Sequence, residues 1–385
     1  MRGLKTVPPR LRAWAEIDLA TLERNLHAIR VGMPPHLKTI AVVKANAYGH
    51  GIAPVVARLM RAGADAFAVA NLEEAARIRE LGTGWPILAL SVLLPEEYRD
   101  AVRLKVRPVI SSLAEVRHLS SIAAELRQPI AVHLKIDTGM GRLGVWYPEA
   151  PSLLKAILAE PGLILEGLCT HFAAADSDQD FTTLQRDRFL NILPLLPPQI
   201  RAHILLHADN SAGVHSFHPG GPFNAIRVGL LQFGVASGPQ GPLERIKTKP
   251  VLSFHCRVGL VKTLPAKATL SYGMTCRLSR PSRIAVLTAG YADGLTTAFS
   301  NRGRVLIQGH LCPILGRVTM DQCLADVTDL PTIPAPGEIA TFIGRSHHQE
   351  LSVNDYATAS GQIEWESLCA ISSRTHRVYL NDSAV

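Results

Sequence analysis

One lysine lies where the chain would present it to a ligand. Lys44 directly follows the apolar, β-branched residues 39–43, and the polar residues Asn46, Tyr48 and His50 come after it. Residues 39–43 are typical of a buried parallel strand, and binding and catalytic groups collect at the carboxyl ends of such strands. A lysine kept from water there can act as a nucleophile. The sequence therefore favours a reactive amine at Lys44 over an ordinary surface lysine.

A glycine-rich segment after another predicted strand supplies an arginine. Residues 137–144 read Asp-Thr-Gly-Met-Gly-Arg-Leu-Gly and contain the spacing G-x-G-x-x-G. That spacing is typical of dinucleotide sites only where it opens directly into a helix, whereas Val-Trp-Tyr-Pro follows it here. A guanidinium grips carboxylates and phenolates at two points. We therefore interpret Arg142 as an anion-binding residue, with a solvated loop arginine as an equal alternative.

Three other segments carry side chains that could bind ligands or move protons. They are His171 after an apolar strand, residues 210–213 (Asn-Ser-Ala-Gly) and Tyr272 in Leu-Ser-Tyr-Gly-Met. By residue type alone each has an ordinary explanation: a barrel histidine with satisfied hydrogen bonds, a plain turn, and an aromatic on a β-strand. These residues therefore predict no role by themselves.

The segments are similar, however, to those of one enzyme family. Residues 41–51, Ala-Val-Val-Lys-Ala-Asn-Ala-Tyr-Gly-His-Gly, resemble the signature of the alanine racemases, in which the lysine carries pyridoxal 5'-phosphate (PLP). Further resemblances lie at residues 137–144, 210–213, 224–230, 270–274, 290–294 and 316–322. The resemblance thus extends over nearly the whole chain.

The resemblance implies roles for individual residues. Lys44 and Tyr272 would be the two catalytic bases. Arg142 and the Met320 amide would bind the substrate carboxylate, and Lys135 matches a family position often found carbamylated. The implied cofactor-binding residues are Lys44, Tyr48, Arg142, His171, Asn210, Ser211, Arg227, Gly229 and Leu230. An arginine at the pyridine nitrogen leaves that nitrogen unprotonated, which suits transfer of one α-proton without transamination.

The implied activity is the interconversion of L-alanine and D-alanine, which supplies D-alanine for peptidoglycan. The resemblance also implies a homodimer in which Tyr272 serves the partner's site. A serine or broad-specificity racemase, or a PLP-dependent decarboxylase of the same architecture, stays open as an alternative, although the sequence has no His-Gly-Gly or Glu-Pro-Gly-Arg segment. Three positions depart from the family pattern: Val228 replaces a common proline, and Phe233 and Trp365 each replace a common tyrosine.

Alternating strand and helix patterns would position these residues. Eight candidate strands span residues 39–43, 66–70, 86–91, 107–110, 130–136, 163–169, 203–207 and 226–230. Helical spacing lies between them, so we predict an α/β fold with a (β/α)8 barrel, and a doubly wound open sheet as runner-up. The richest Gly/Pro stretch follows, at residues 234–242. We therefore predict a cofactor-binding barrel at 1–240 and a mainly-β domain at 248–385. The family resemblance implies that the N-terminal strand at residues 10–17 joins the second domain.

The composition of the 385 residues limits the other possibilities. Hydrophobic residues make up 47%, enough for hydrophobic cores, but no apolar run reaches the about 20 residues of a membrane helix or resembles a signal peptide. We therefore expect a cytoplasmic protein without membrane contact. The net charge is +8 with interleaved signs, which disfavours nucleic acid and suits small anionic ligands. The six cysteines lack C-x-x-C pairs, so buried thiols are expected rather than disulfides or a metal site.

Overall fold

The computed structural model describes residues 10–216, 221–235 and 246–382. The chain divides into two compact units. The barrel unit comprises Leu22–Ala47 and Ile52–Lys249, and the second unit comprises Met1–Thr21, Tyr48–Gly51 and Pro250–Val385 as far as they are described. The domain boundary predicted between residues 240 and 248 lies mostly outside the described residues and stays a prediction.

The barrel unit is built on eight parallel strands that close on themselves. The first strand of the chain, β1 (Ala13–Asp18), belongs to the second unit. The barrel strands, with a short extra strand β7 beside β6, are β2 (Lys38–Val42), β3 (Ala66–Val69), β4 (Ile87–Ala89), β5 (Val106–Ile110), β6 (Ile130–Asp137), β7 (Val145–Trp146), β8 (Leu163–Cys169), β9 (Leu205–His207) and β10 (Ala225–Val228). Their order is β5-β4-β3-β2-β10-β9-β8-β6, and β6 pairs back to β5. The predicted (β/α)8 barrel is confirmed.

Helices alternate with these strands, as the apolar spacing predicts. Their bounds are α1 (Leu19–Val31), α2 (Lys44–Tyr48), α3 (Ile52–Arg61), α4 (Leu72–Leu81), α5 (Tyr98–Arg103), α6 (Leu113–Leu126), α7 (Ala150–Ala159), α8 (Gln179–Leu190) and α9 (Pro198–Arg201). The side chains of Asn71 and Ser112 cap α4 and α6 by accepting from the third backbone amide of each helix. The strands are buried on both faces, which is why they read as continuous apolar runs.

The second unit is mainly β. Its remaining strands are β11 (Leu252–Leu264), β12 (Thr269–Leu270), β13 (Cys276–Arg277), β14 (Ser282–Leu287), β15 (Arg304–Ile307), β16 (His310–Pro313), β17 (Cys323–Asp326), β18 (Ile339–Ser346), β19 (Gln349–Leu351) and β20 (His376–Leu380). Strand β1 lies between β11, to which it is antiparallel, and β20, to which it is parallel. Two helices, α10 (Val353–Ser360) and α11 (Glu364–Ala370), complete the unit.

Several details differ from the sequence-based expectations. In the second unit strands β12, β13, β17, β19 and β20 were not predicted, because each has only two to five residues, too few for a recognisable alternating pattern. Cys369 is exposed and Cys276 is half-buried, so the expectation of six buried thiols is wrong for these two.

Within the described residues no helix is long and apolar enough to cross a membrane. The same residues contain no group of three or more His, Cys, Asp or Glu side chains arranged to hold a metal.

Candidate active site

Lys44 lies at the carboxyl end of β2, where the sequence predicted it, but the turn that follows is unusual. It is a left-handed helical turn of non-glycine residues, with φ of 52° at Ala45, 54° at Asn46, 56° at Ala47 and 51° at Tyr48. Left-handed backbone costs about 1–2 kcal/mol per non-glycine residue. Such strain persists only where the surroundings determine the backbone strongly.

Hydrogen bonds hold this strained turn in place. The amide of Ala47 donates to the Val43 carbonyl over 2.8 Å. The amide of Ala45 donates to Glu74 Oε1 over 2.6 Å, and Asn46 Oδ1 accepts from the amide of Ile52 over 2.9 Å. The last bond lies at the start of α3, whose first residue is Ile52. The turn thereby fixes the direction in which the half-buried Lys44 leaves its strand.

Arg227 lies on β10 and is the most completely bonded side chain of the site. Its Nη1 donates to His207 Nδ1 and the His207 carbonyl, each over 2.8 Å. Its Nη2 donates to the carbonyls of Thr170 and Ala208 over 2.8 Å, and to His171 Nδ1 over 3.1 Å. These contacts occupy the four protons on Nη1 and Nη2. Among the described residues the Nε–H has no acceptor, so it remains available to a ligand.

His171 is held neutral by its surroundings. Burial first, and then the positive charges of Arg227, Lys135, Arg142 and Lys44 in that order, hold its pKa well below the usual value. Four cationic side chains from different barrel segments therefore act on one imidazole. Because Nδ1 accepts from Arg227, the proton of this neutral ring is on Nε2. Of the sequence-predicted residues, His171, Arg227, Lys135, Arg142 and Lys44 thus form a positive site that suits an anionic ligand.

Lys135 and Arg142 enter this site from β6 and the loop after it. Asp137 Oδ1 accepts from the amides of Gly139 and Met140 over 2.9 Å and of Gly141 over 3.1 Å, which fastens the loop. Arg142 is exposed at its tip. Lys135 is buried, and this burial chiefly lowers its pKa to about 8. No helix follows the G-x-G-x-x-G spacing directly, which agrees with rejecting a dinucleotide site.

The segment after β9 and the end of β10 form a cradle for an anion. Ser211 Oγ accepts from the amides of Gly229 over 3.0 Å and Leu231 over 3.2 Å. Asn210 Oδ1 accepts from the Gly213 amide over 2.9 Å. A hydroxyl has two acceptor positions and one proton, and the described residues offer no acceptor for the Ser211 proton. Ser211 and the Asn210 amide group can therefore both donate to a ligand beside Gly229 and Leu230.

The second unit carries Tyr272, the other predicted base. Tyr272 begins a short 3-10 turn and is 72% exposed, so its expected place on a strand is wrong. The residue before it, Ser271, has φ 59° and ψ −174°, a region that costs a non-glycine residue about 1–3 kcal/mol. Ser271 Oγ donates to the Arg317 carbonyl over 2.7 Å, which anchors this backbone. Strain therefore accompanies both predicted bases.

Met320 lies close to Tyr272 within the second unit. Both residues line one cavity of about 850 Å³, together with Thr319, Gln322 and the polar cluster of Asp293, Asp321 and Arg374. Arg374 donates to Asp293 over 2.8 Å and to Asp321 over 2.7 Å. The segment Tyr48–Gly51 belongs to the second unit, so Tyr48 lies in a different unit from Lys44.

Three buried or half-buried side chains next to this site were missed by sequence reasoning. His207 Nε2 lies 2.8 Å from His133 Nδ1, and His133 Nε2 lies 3.6 Å from Glu166 Oε2. Both histidines are fully buried. The available signal was a histidine inside, or at the end of, a continuous apolar strand, because a buried polar side chain requires a partner.

Comparison with known proteins agrees with these features. The family model described as alanine racemase, N-terminal domain, matches residues 17–237. The model described as alanine racemase, C-terminal domain, matches residues 251–379. Together the two models cover most of the chain, including both units.

Individual relatives match over their full length. An alanine racemase of Halothermothrix orenii is 37% identical, covering 96% of this chain and 97% of the relative. The crystal structure of alanine racemase from Bacillus anthracis with bound L-Ala-P has a TM-score of 0.88 at 32% identity, covering 98% of this chain and 97% of that one. The alanine racemase of Bartonella henselae with covalently bound pyridoxal phosphate has a TM-score of 0.86 at 26% identity, covering 96% and 99%. This chain belongs to the alanine racemase family.

Proposed function

We propose that this chain is a PLP-dependent alanine racemase that interconverts L-alanine and D-alanine by a two-base mechanism. The observation that carries the proposal is Lys44 at the end of a barrel strand, with buried Arg227 hydrogen-bonded to His171 and the positive charges of Lys135 and Arg142 also acting on that ring. A lysine there can hold a cofactor covalently, and the surrounding positive charge suits a phosphate and a carboxylate. The expected biological role is the supply of D-alanine for peptidoglycan.

The described residues fit the cofactor. Lys44 would hold it covalently, and the Arg227 Nε–H would donate to its pyridine nitrogen. Ser211, Asn210 and the amides near Gly229 and Leu230 would bind its phosphate, with Tyr48 adding a phenolic donor. Arg142 would reach its phenolic oxygen and the substrate carboxylate. The unused Nε–H of Arg227 and the unused proton of Ser211 support this fit, because each is a donor without an acceptor in the described residues.

The chemistry divides between cofactor and protein. Bound pyridoxal 5'-phosphate supplies an electron-withdrawing ring that makes the α-proton of an attached amino acid removable. Arg227 stays charged at all ordinary pH values, so it donates to the pyridine nitrogen and gives it no proton. The protein thereby restricts the reaction to moving one proton. His171, held by Arg227, stays neutral and keeps that arginine in place.

Racemisation requires two bases on opposite faces, because one group cannot reach both faces of a fixed plane at hydrogen-bonding distance. Lys44 would take the α-proton of D-alanine, and Tyr272 would take that of L-alanine. The substrate carboxylate, held by Arg142 and the Met320 amide, would keep the α-carbon between them. The strained turns at Lys44 and before Tyr272 support these roles, since strain concentrates at functional sites.

Tyr272 would belong to the partner's site in a homodimer. Tyr272 is exposed in the second unit, and so are three other large side chains of that unit, Met274 (67%), Tyr291 (44%) and Met320 (53%). Exposed apolar groups that lie together mark interaction surfaces. In a two-fold dimer each copy would give its tyrosine and receive its partner's, so both sites would be completed at once.

The proposal is tested by incubating the purified protein with L-alanine, D-alanine, L-serine and a panel of other L-amino acids, and determining the chirality of the product. Either alanine enantiomer should yield an equal mixture of both, and Lys44→Ala should yield none. Failure to convert alanine, or release of carbon dioxide and an amine, would overturn the assignment. Faster conversion of L-serine than of L-alanine would instead support the broad-specificity alternative.

A further inference from the structure

A line of hydrogen bonds leads from Arg227 into the barrel unit. It passes from Arg227 on β10 to His207 on β9 and then to His133 on β6, with both imidazole contacts at 2.8 Å. His133 Nε2 lies 3.6 Å from Glu166 Oε2 on β8 and has no nearer partner among the described residues. Glu166 in turn accepts from Arg107 Nε on β5. Four neighbouring strands thus each contribute one member of the line, and Arg107 on β5 holds its end, Glu166, from outside.

With both ends in place, the hydrogen bonds of this line are donated in only one direction, from Arg227 towards Glu166. An arginine has donors only, so His207 Nδ1 must accept and its proton must be on Nε2. His207 Nε2 then donates to His133 Nδ1, which places the His133 proton on Nε2 as well. That Nε2–H faces a carboxylate, which only accepts. Every member is therefore consistent with Nε2–H tautomers at both histidines and with a charged Glu166.

The burial of the members supports this reading. Arg227 is 3% exposed and both histidines are fully buried, whereas the Glu166 side chain is 35% exposed. Burial is the chief cause that lowers the pKa values of His133 and His207, so both rings are neutral with one donor and one acceptor each. Burial alone would raise the pKa of Glu166, but the nearby His133 ring and the hydrogen bond from Arg107 outweigh it and lower the pKa to about 2.

The imidazole of His133 fits against β8 because the residue opposite it is a glycine. Gly167 pairs with His133 in the β6–β8 register, and a Cβ there would lie 2.3 Å from His133 Nδ1. Only glycine therefore allows the imidazole to lie against β8 with its Nδ1 directed to His207. The two rings meet edge to face at 5.0 Å between centroids, which holds the orientation.

We propose that Glu166 is a positioning residue for Arg227, acting through His133 and His207: Glu166 and Arg227, at the two ends of the line, together hold both rings in the Nε2–H tautomer. Without the Glu166 carboxylate the buried Nε2–H of His133 faces no acceptor, and this cost favours moving the His133 proton to Nδ1 and the His207 proton to Nδ1 in turn, against the preference that Arg227 sets at the other end. His207 Nδ1–H would then face the Arg227 Nη1 protons, and two donors in contact repel each other. Arg227 would shift, and its Nε–H would leave the direction of the pyridine nitrogen. The last step rests on the proposed function.

The first test measures the tautomers directly. The full-length chain, labelled with ¹⁵N-histidine, is studied by NMR with cofactor bound and after its removal. Wild type should show the Nε2–H form at His133 and His207 in both states. Glu166→Gln keeps an acceptor and should leave both tautomers unchanged, whereas Glu166→Leu should convert both wholly or partly to Nδ1–H. Arg107→Met, which removes the other partner of Glu166 but not the line, should resemble wild type.

The second test measures the consequence. Glu166→Leu should reduce kcat by up to about 100-fold through misplacement of Arg227, with KM nearly unchanged and more pyruvate formed per racemisation. Glu166→Gln should restore wild-type behaviour. A His207 proton on Nδ1 in wild type overturns the proposal, even if the leucine variant does not fold. Unchanged tautomers in Glu166→Leu, or equal effects of Glu166→Leu and Arg107→Met, overturn it as well. Since the tautomers are also read without cofactor, absence of racemase activity would refute the proposed function and leave this test intact.

Discussion

At the scale of single residues, burial decides which charges the site can use. Arg227 keeps its charge although it is buried, because nearly all of its donors are taken by carbonyls and neutral imidazoles. Among the described residues the Lys135 ammonium has no comparable set of acceptors, and burial lowers its pKa. One buried cation is therefore a fixed donor and the other is a titratable amine.

This difference leads to a prediction for Lys135. Its pKa of about 8 means that the neutral amine, the form that combines with carbon dioxide, increases as the pH rises through that value. At fixed carbon dioxide pressure, carbamylation with release of one proton should therefore increase from pH 7 to pH 9. The ¹³C carbamate signal under ¹³CO₂ measures it. Lys135→Met should lose the signal and Lys155→Arg, at an exposed position of α7, should keep it. A signal that falls with pH or survives Lys135→Met contradicts this.

Trp365 gives a second prediction at this scale. It is the second residue of α11, at a position where the family resemblance implies a tyrosine whose phenol would reach the cofactor phosphate. Trp365→Tyr should tighten cofactor binding by one neutral hydrogen bond, about 0.5–1.5 kcal/mol. Trp365→Phe provides the ring without the hydroxyl and should bring no gain. Titration of the cofactor-free protein measures both, and equal affinities of the two variants would refute the interpretation.

At the scale of elements, the register between β6 and β8 has a measurable consequence. A methyl group at Gly167 would lie 2.3 Å from His133 Nδ1 and 2.4 Å from its Cε1, so the ring or the strand must move. Gly167→Ala should therefore lower the free energy of unfolding by about 1–3 kcal/mol, as overpacking does. Gly84→Ala is the matched control, because nothing lies within 4 Å of its Cβ position. Urea unfolding of the cofactor-free protein measures both, and equal midpoints would contradict the tight fit.

The elements also show what the sequence could predict. The eight barrel strands were predictable because apolar runs such as Ile40–Val42 are buried on both faces, and the carboxyl-end position of Lys44 followed from them. The left-handed turn was not predictable, since Ala45 and Ala47 have no intrinsic preference for positive φ. Its bonds to Glu74 and Ile52 come from other elements. Likewise, the contact of His133 with His207 depends on strand order and register, which one apolar run does not encode.

At the scale of the whole molecule, the two proposed bases belong to different units. Lys44 lies in the barrel unit and Tyr272 in the second unit. The family resemblance, rather than any local pattern, linked them in the sequence, because an exposed tyrosine in a short turn carries no signal of catalysis. If each site takes Tyr272 from the partner, neither base is sufficient in its own chain and activity requires dimerisation.

This claim can be tested by mixing two inactive variants. In a mixed dimer of Lys44→Ala and Tyr272→Phe chains, one site collects both substitutions and the other receives Lys44 from one chain and Tyr272 from its partner. The second site is then intact. Mixing Lys44→Ala with the double variant Lys44→Ala/Tyr272→Phe is the control, because no dimer of these chains contains an intact site.

The measurement is alanine racemisation after subunit exchange of equal amounts of the two variants, with exchange followed independently. About half of the dimers should be mixed and each should have one intact site of two, so activity should rise from near zero to roughly a quarter of wild type. The control mixture should stay inactive. No recovery of activity despite demonstrated exchange would contradict the account, because Lys44 and Tyr272 would then serve the same chain's site, or Tyr272 would not be the second base.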